Sequence, residues 1–118
     1  QVSSLPTFSD QITQKLIRNG NDFAFTVEPF MLENNGVLSH GVLTEILNTA
    51  THQLISYSGR SLIIENMMIY FLQAVQLDDY LTLQSRLVRE TRRSAIIDYD
   101  IYHGHQIVSK ANVTVKIN

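Results

Sequence analysis

Residues 41–57, GVLTEILNTATHQLISY, decide the fold. Leu43, Ile46, Leu47, Ala50 and Leu54 stand at offsets of three, four, seven and eleven, which lines one face of an α-helix. No Pro and no further Gly interrupts the pattern, and Ser58-Gly59 stands where helices stop. The spacing predicts a helix from Gly41 to Tyr57, about 24 Å long at about 1.5 Å per residue and able to cross a sheet. The period then changes. Residues 61–75, SLIIENMMIYFLQAV, are almost continuously apolar, which predicts a strand buried on both faces and central in its sheet. Glu65 and Asn66 interrupt the run, and burying either demands a hydrogen-bond partner, in a neighbouring strand, a second subunit or a ligand pocket.

Working outward, Tyr80–Thr91, Ala95–Tyr102 and Ile107–Ile117 alternate as half-exposed strands. Leu77-Asp78-Asp79, Arg92-Arg93-Ser94 and His103-Gly104-His105 mark the bends between them. Upstream, Phe23, Phe25 and Val27 with Pro29 predict a first strand over Asp22–Met31, placed at an edge, followed by a turn at Glu33-Asn34-Asn35-Gly36. Ser9 or Asp10 caps a short helix carrying Ile12, Leu16 and Ile17, ended by Asn19-Gly20-Asn21 and preceded by a linker through Leu5-Pro6-Thr7. Residues 1–21 thus read as linker and short helix. Residues 22–118 read as one α+β domain, a long central helix packed on an antiparallel sheet. One helix covers one sheet face only, so a strand apolar on both sides predicts that another copy covers the rest, as a homodimer or a dimer of dimers.

Composition narrows the function. Of 118 residues, 44% are apolar and 17% charged, enough for a packed core, and the formal net charge of −2 lacks the basic excess that nucleic-acid binding through phosphates needs. The absence of cysteine closes disulfides, thiolate zinc sites and thiol nucleophiles. His103 and His105 flank a glycine with no third ligand cluster near them in sequence, so a plain turn and no metal site are expected. No apolar run approaches the roughly 20 residues that span a bilayer, and no secretory signal opens the chain, so the expectation is no membrane contact and a cytoplasmic location. The first residue is Gln1, which suggests a segment of a longer protein or a trimmed chain.

A strand, a loop with Asn34 and Gly36, SHGVLTEILNTATHQL (39–54) opening a long helix, and a strand meander together resemble the hotdog fold of acyl-CoA thioesterases and acyl-thioester dehydratases over residues 22–118. LIIENMMIYFLQAVQLDDYLTLQSRLVRE (62–90) and YHGHQIVSKANVTVKI (102–117) are most similar to the C-terminal hotdog domain of bacterial regulators that also carry DRTGG and CBS domains. The resemblance implies an acyl-CoA or CoA ligand at a dimer interface and no other cofactor. It directs the thioester carbonyl to the first turn of the helix at Gly41-Val42, where unpaired N–H groups and the helix dipole favour negative charge, and where Gly41 has no side chain to obstruct approach. In the phenylacetate-pathway type of thioesterase an Asn precedes a His-Gly pair by six positions and a carboxylate follows the His by nine. Asn34, His40 and Gly41 match, and the carboxylate position falls on Thr49, whose hydroxyl is no base at neutral pH.

Glu45, one turn before Thr49, is therefore the candidate catalytic base, with Asn48 beside it. Asn34, His40, Gly41, Val42, Asn48, Thr49 and Asn66 are the substrate-binding candidates. Each has a plainer reading. His40 either touches ligand or caps the helix, Glu45 is either a base or an acid placed for the helix dipole, and His52 faces solvent or an interface. Arg86, Arg89, Arg92 and Arg93 are either a solvated edge or a seat for coenzyme A phosphates. Three functions follow: the ligand-sensing module of a larger CBS-containing transcriptional regulator, an active acyl-CoA thioesterase using Glu45, or a dimerisation module whose pocket its own side chains fill.

Overall fold

The central helix, α2, runs His40–Leu54 in the computed structural model, which describes residues 7–55 and 61–118. The Ser39 hydroxyl caps it by accepting from the Val42 N–H at 3.4 Å. Tyr57, the stop at Ser58-Gly59 and the linker through Pro6 lie outside the described residues. Leu43, Ile46, Leu47 and Ala50 are all buried, as their spacing predicts.

The remaining elements are helix α1 (Phe8–Lys15), strands β1 (Ile17–Asn19) and β2 (Asp22–Thr26), a single 3-10 turn at Pro29–Met31, and strands β3 (Leu62–Phe71), β4 (Tyr80–Glu90), β5 (Ser94–His103) and β6 (Gln106–Ile117). They form one six-stranded antiparallel sheet in the order β1-β2-β4-β5-β6-β3. The α+β class, with one long helix on an antiparallel sheet, is as the sequence predicts. The core lies between α2 and one sheet face, filled by Phe23, Phe25, Leu81, Leu83, Ile97, Tyr99, Ile101, Val113 and Val115.

Several expectations change. The apolar run after α2 ends as a strand at Phe71, and β3 is not central but the outer strand, paired with β6 alone. Its apolar residues divide between two faces around a bulge at Glu65. Leu62, Ile64, Met67 and Ile69 pack toward the core, while Ile63, Met68 and Tyr70 stand exposed on the outer face. Continuous hydrophobicity here records an uncovered outer face rather than burial on both sides within one chain. Glu65 and Asn66 are likewise exposed, so neither carries the desolvation cost expected of a buried polar group.

Strand β2 is not at an edge either. It stops at Thr26, short of the predicted Met31, because Pro29 begins the 3-10 turn. The edge belongs to β1, in which Ile17 pairs with Ala24 instead of extending the helix. Thr7, not Ser9 or Asp10, caps α1: its hydroxyl accepts from Asp10 N–H and the Asp10 carboxylate accepts from Thr7 N–H, a reciprocal capping box. Ile12 is buried in the same core as α2, and Lys15 pairs with Glu28 at 3.1 Å. Arg18 donates to the Gln53 carbonyl at 3.0 Å, satisfying an acceptor in the last turn of α2.

Candidate functional site

The first turn of α2 is fixed from below. Leu38 N–H donates to the Val75 carbonyl at 2.7 Å and Ser39 N–H to the Met31 carbonyl at 2.8 Å, so the chain enters the helix already held on both sides. At the helix opening the Glu33 carboxylate accepts from His40 N–H at 3.4 Å, and Ser39 takes Val42 N–H. Among the described residues the Gly41 N–H has no hydrogen-bond partner, and Gly41 itself is exposed. One open amide thus remains at the positive end of the helix, available to an incoming carbonyl oxygen.

Beside this turn lies a cavity of about 240 Å³. Leu43 of α2 and Leu81, Ile101 and Val108 of the sheet form its apolar walls. His40, Phe71, Gln73 and Ala74 line it nearer the surface, and the His40 ring stacks on Phe71 with centroids 3.6 Å apart and planes 12° from parallel. Phe71 reaches this position because it pairs with Ser109 across β6, on the core-facing side of β3, at the end of the strand nearest the helix opening. Leu72 and Gln73 then fold over β6, both donating their N–H groups to the Val108 carbonyl.

Five of the eight predicted site residues fall into two groups, and Val42, Asn34 and Asn66 belong to neither. His40 lines the cavity with Gly41 beside it, whereas Glu45, Asn48 and Thr49 lie under α1. Glu45 Oε2 accepts from Ser9 Oγ at 2.9 Å, Asn48 Nδ2 at 3.4 Å and Thr49 Oγ1 at 3.5 Å. The separation is helical geometry: five residues along α2 turn Glu45 about 140° away from His40. Asn48, Thr49 and His52 border a separate polar hollow with Ser9 and Thr13 of α1, and His52 Nδ1 lies 2.8 Å from the Asn48 carbonyl. The Val42 side chain is in the core and its N–H is taken by Ser39. Asn34 sits exposed on the Glu33–Gly36 turn, and Asn66 sits on the outer face of β3 opposite Thr114; neither lines the cavity.

The other candidates take structural places. His103 and His105 flank Gly104 in a two-residue hairpin turn that Gly104 enters at φ +62°, and His103 Nε2 lies 3.6 Å from Asp79. No group of metal-ligating side chains occurs among the described residues. Arg86 pairs with Asp98 at 2.8 Å on the outer sheet face, where Asn112 also donates to Asp98 at 2.7 Å. Arg89, Arg92 and Arg93 are exposed at the far end of the β4–β5 hairpin, and the cavity is not lined by any of them. Sequence reasoning missed Phe71, hidden in a run read as a buried strand. It also missed the buried pair beneath α2, Thr51 Oγ1 and Tyr99 OH at 2.7 Å. Burial pushes the Tyr99 phenol well above its ordinary pKa, against the smaller opposing effect of the Thr51 hydrogen bond.

A helix opening onto a cavity at one end of a curving antiparallel meander is a family arrangement, and the thioesterase superfamily matches over residues 35–110. The chain belongs to the thioesterase superfamily. Its fold is the hotdog thioesterase fold. A hypothetical thioesterase from Streptococcus pneumoniae TIGR4, solved with coenzyme A, superposes with TM-score 0.76 at 23% identity, covering 82% of this chain and 77% of that one. A Streptococcus mutans UA159 protein bound to acetyl-CoA gives 0.76 at 19% identity over 82% and 79%. At such identities the likeness establishes the fold. In sequence, the uncharacterized Bacillus subtilis (strain 168) protein YtoI is 29% identical over 96 residues, which is 80% of this chain and 22% of YtoI. The thioesterase-superfamily chain therefore spans about a fifth of that relative's length. No described helix is long and apolar enough to cross a membrane.

Proposed function

We propose that this thioesterase-superfamily domain binds acyl-CoA across a homodimer interface and serves as the cytoplasmic ligand-sensing module of a larger CBS-containing transcriptional regulator. The observation that carries the binding reading is the unpaired Gly41 N–H at the opening of α2, beside an apolar cavity. A thioester carbonyl placed there gains a hydrogen bond and the field of the helix end, while its acyl group leaves water. The S. pneumoniae and S. mutans structures, solved with coenzyme A and acetyl-CoA, support a ligand of this class. A place within a larger protein draws support from YtoI, of which a segment like this one is a fifth.

Sensing is favoured over hydrolysis because no described residue lining the cavity is a carboxylate. The position nine beyond His40 is Thr49, and Glu45 Oε2 is already held by three donors on the other side of the helix. The enzyme reading rests on that same cluster, since Ser9, Asn48 and Thr49 keep Glu45 oriented as a carboxylate that a partner's ligand could meet. Thiol release from a panel of acyl-CoAs separates the two, and the chain contributes no thiol background because it has no cysteine. The sensor predicts a raised melting temperature with acetyl-CoA and no release above the uncatalysed rate. Release that disappears in Glu45→Ala and survives in Thr49→Ala establishes the enzyme instead. No thermal shift with any acyl-CoA at millimolar concentration leaves only a dimerisation module. A CBS pair encoded upstream in the same reading frame is the expected finding for the regulator role.

A further inference from the structure

Strand β4 outruns its neighbour. Strand β2 pairs with it only from Tyr80 to Gln84, and the Ser85 hydroxyl donates to the Asn21 carbonyl where the β1–β2 hairpin turns back. From Arg86 to Glu90 no described strand lies on that side, so the outward N–H and C=O groups of this half of β4 form an open sheet edge. Leu87 and Val88 on it are 50% and 51% exposed. The two faces beside the edge differ. Toward the helix, Leu87 and Ile97 of the sheet and Leu54 and Ile55 at the end of α2 line a small apolar hollow. On the outer face Arg86 stands opposite Asp98 and Arg89 opposite Ile96, with Arg93 in the turn beyond and Lys116 opposite Ser94. Asp98 neutralises Arg86, whereas Arg89, Arg93 and Lys116 enter no ion pair among the described residues.

We infer that this half of β4 docks a short acidic segment of a partner protein, which adds as a strand beyond the end of β2. Charge selects the occupant. The unpaired cations repel the same edge of a second copy and attract a strand bearing carboxylates. The bulge at Val88 breaks the regular backbone, so the paired stretch is short. Successive side chains of a strand point to opposite faces, and the docked segment therefore alternates. An apolar residue enters the hollow beside Leu87, and Asp or Glu on either side of it face Arg89 within the field of Arg93 and Lys116. Main-chain hydrogen bonds to the open edge hold the segment, and the hollow and the guanidinium groups choose its sequence. The site is separate from the cavity beside His40, which lies at the other end of α2.

Random peptides displayed on phage and selected on the intact chain test this. Selection is expected to enrich an acidic, apolar, acidic alternation. A synthetic peptide of the enriched sequence is expected to slow amide exchange over Arg86–Glu90 and to leave that of β3 unchanged. Its affinity is expected to fall about tenfold or more in Arg89→Glu with Arg93→Glu, both exposed positions, with the circular dichroism of the chain unchanged. No enrichment, enrichment of sequences without carboxylates, or binding that leaves those β4 amides exchanging freely overturns the inference. So does binding of phosphatidylserine vesicles, a DNA duplex or coenzyme A in place of the peptide and lost in the same double variant, since the arginines then serve phosphates.

Discussion

At the scale of single residues, the Thr51–Tyr99 pair is the polar feature on which the core most depends. Both residues are almost fully buried, and their hydroxyls lie 2.7 Å apart beneath α2. Removing one hydroxyl leaves the other buried and unpaired, so Tyr99→Phe and Thr51→Val are each expected to cost about 1–3 kcal/mol. The double substitution removes both polar groups and is expected to recover much of that loss, which a double-mutant cycle by urea denaturation measures. The pH dependence follows from burial. With its pKa raised in the folded chain, Tyr99 keeps its proton at pH values where the unfolded chain loses one. Its contribution is therefore fully present below about pH 10 and declines as pH rises beyond it. Urea midpoints taken on either side of that pH are expected to fall less steeply in Tyr99→Phe than in the unaltered protein.

Among the elements, α1 shows how little local structure eight residues supply by themselves. Its capping box joins Thr7 and Asp10, but its attachment is tertiary, through buried Ile12, the Ser9–Glu45 hydrogen bond and the Lys15–Glu28 pair. Thr7→Ala is expected to cost about 1 kcal/mol. Ile12→Ala, which deletes core volume, is expected to cost about 2–5 kcal/mol, and hydrogen exchange should show α1 amides losing protection before those of α2. Full protection of α1 in Ile12→Ala contradicts this account of its attachment. The sequence made α2 legible because five apolar residues share one helical face, and β4 to β6 legible because they alternate. It hid β1, since Ile17-Arg18-Asn19 is too short to show a period, and it misplaced β3, since an exposed apolar face and a buried one look alike in a string of letters. The site was half legible for a related reason. His40 and Gly41 are local to the helix opening, but Phe71 joins them only through the pairing of β3 with β6, and the 140° that separates Glu45 from His40 is invisible until the helix is wound.

For the molecule as a whole, the two sheet edges are treated differently. At one edge β1 is three residues long and carries Arg18, a short and charged strand of the sort that discourages pairing. At the other, β3 is ten residues long with no Pro, Lys or Arg, and Met68 and Tyr70 on its outer face are 47% and 55% exposed. An edge this long and apolar is an aggregation hazard unless something pairs with it. A second copy can do so by two-fold antiparallel pairing of β3 with itself, which satisfies the edge amides and closes the assembly so that no further copy can add there. The bulge at Glu65 does not prevent this, since pairing resumes from Asn66 onward along β6. Sedimentation equilibrium at micromolar concentration is accordingly expected to give twice the 13.4 kDa chain mass. Because Met68 and Tyr70 are already exposed in one chain, Met68→Lys with Tyr70→Lys leaves the monomer fold unstrained and places two positive charges on each of the edge strands that would pair. The double variant is expected to sediment as a monomer with unchanged far-ultraviolet circular dichroism and to lose acyl-CoA affinity along with its partner. A chain that sediments at 13.4 kDa while its β3 amides exchange freely refutes the pairing. Acyl-CoA affinity retained in the monomeric variant refutes a site shared between two copies.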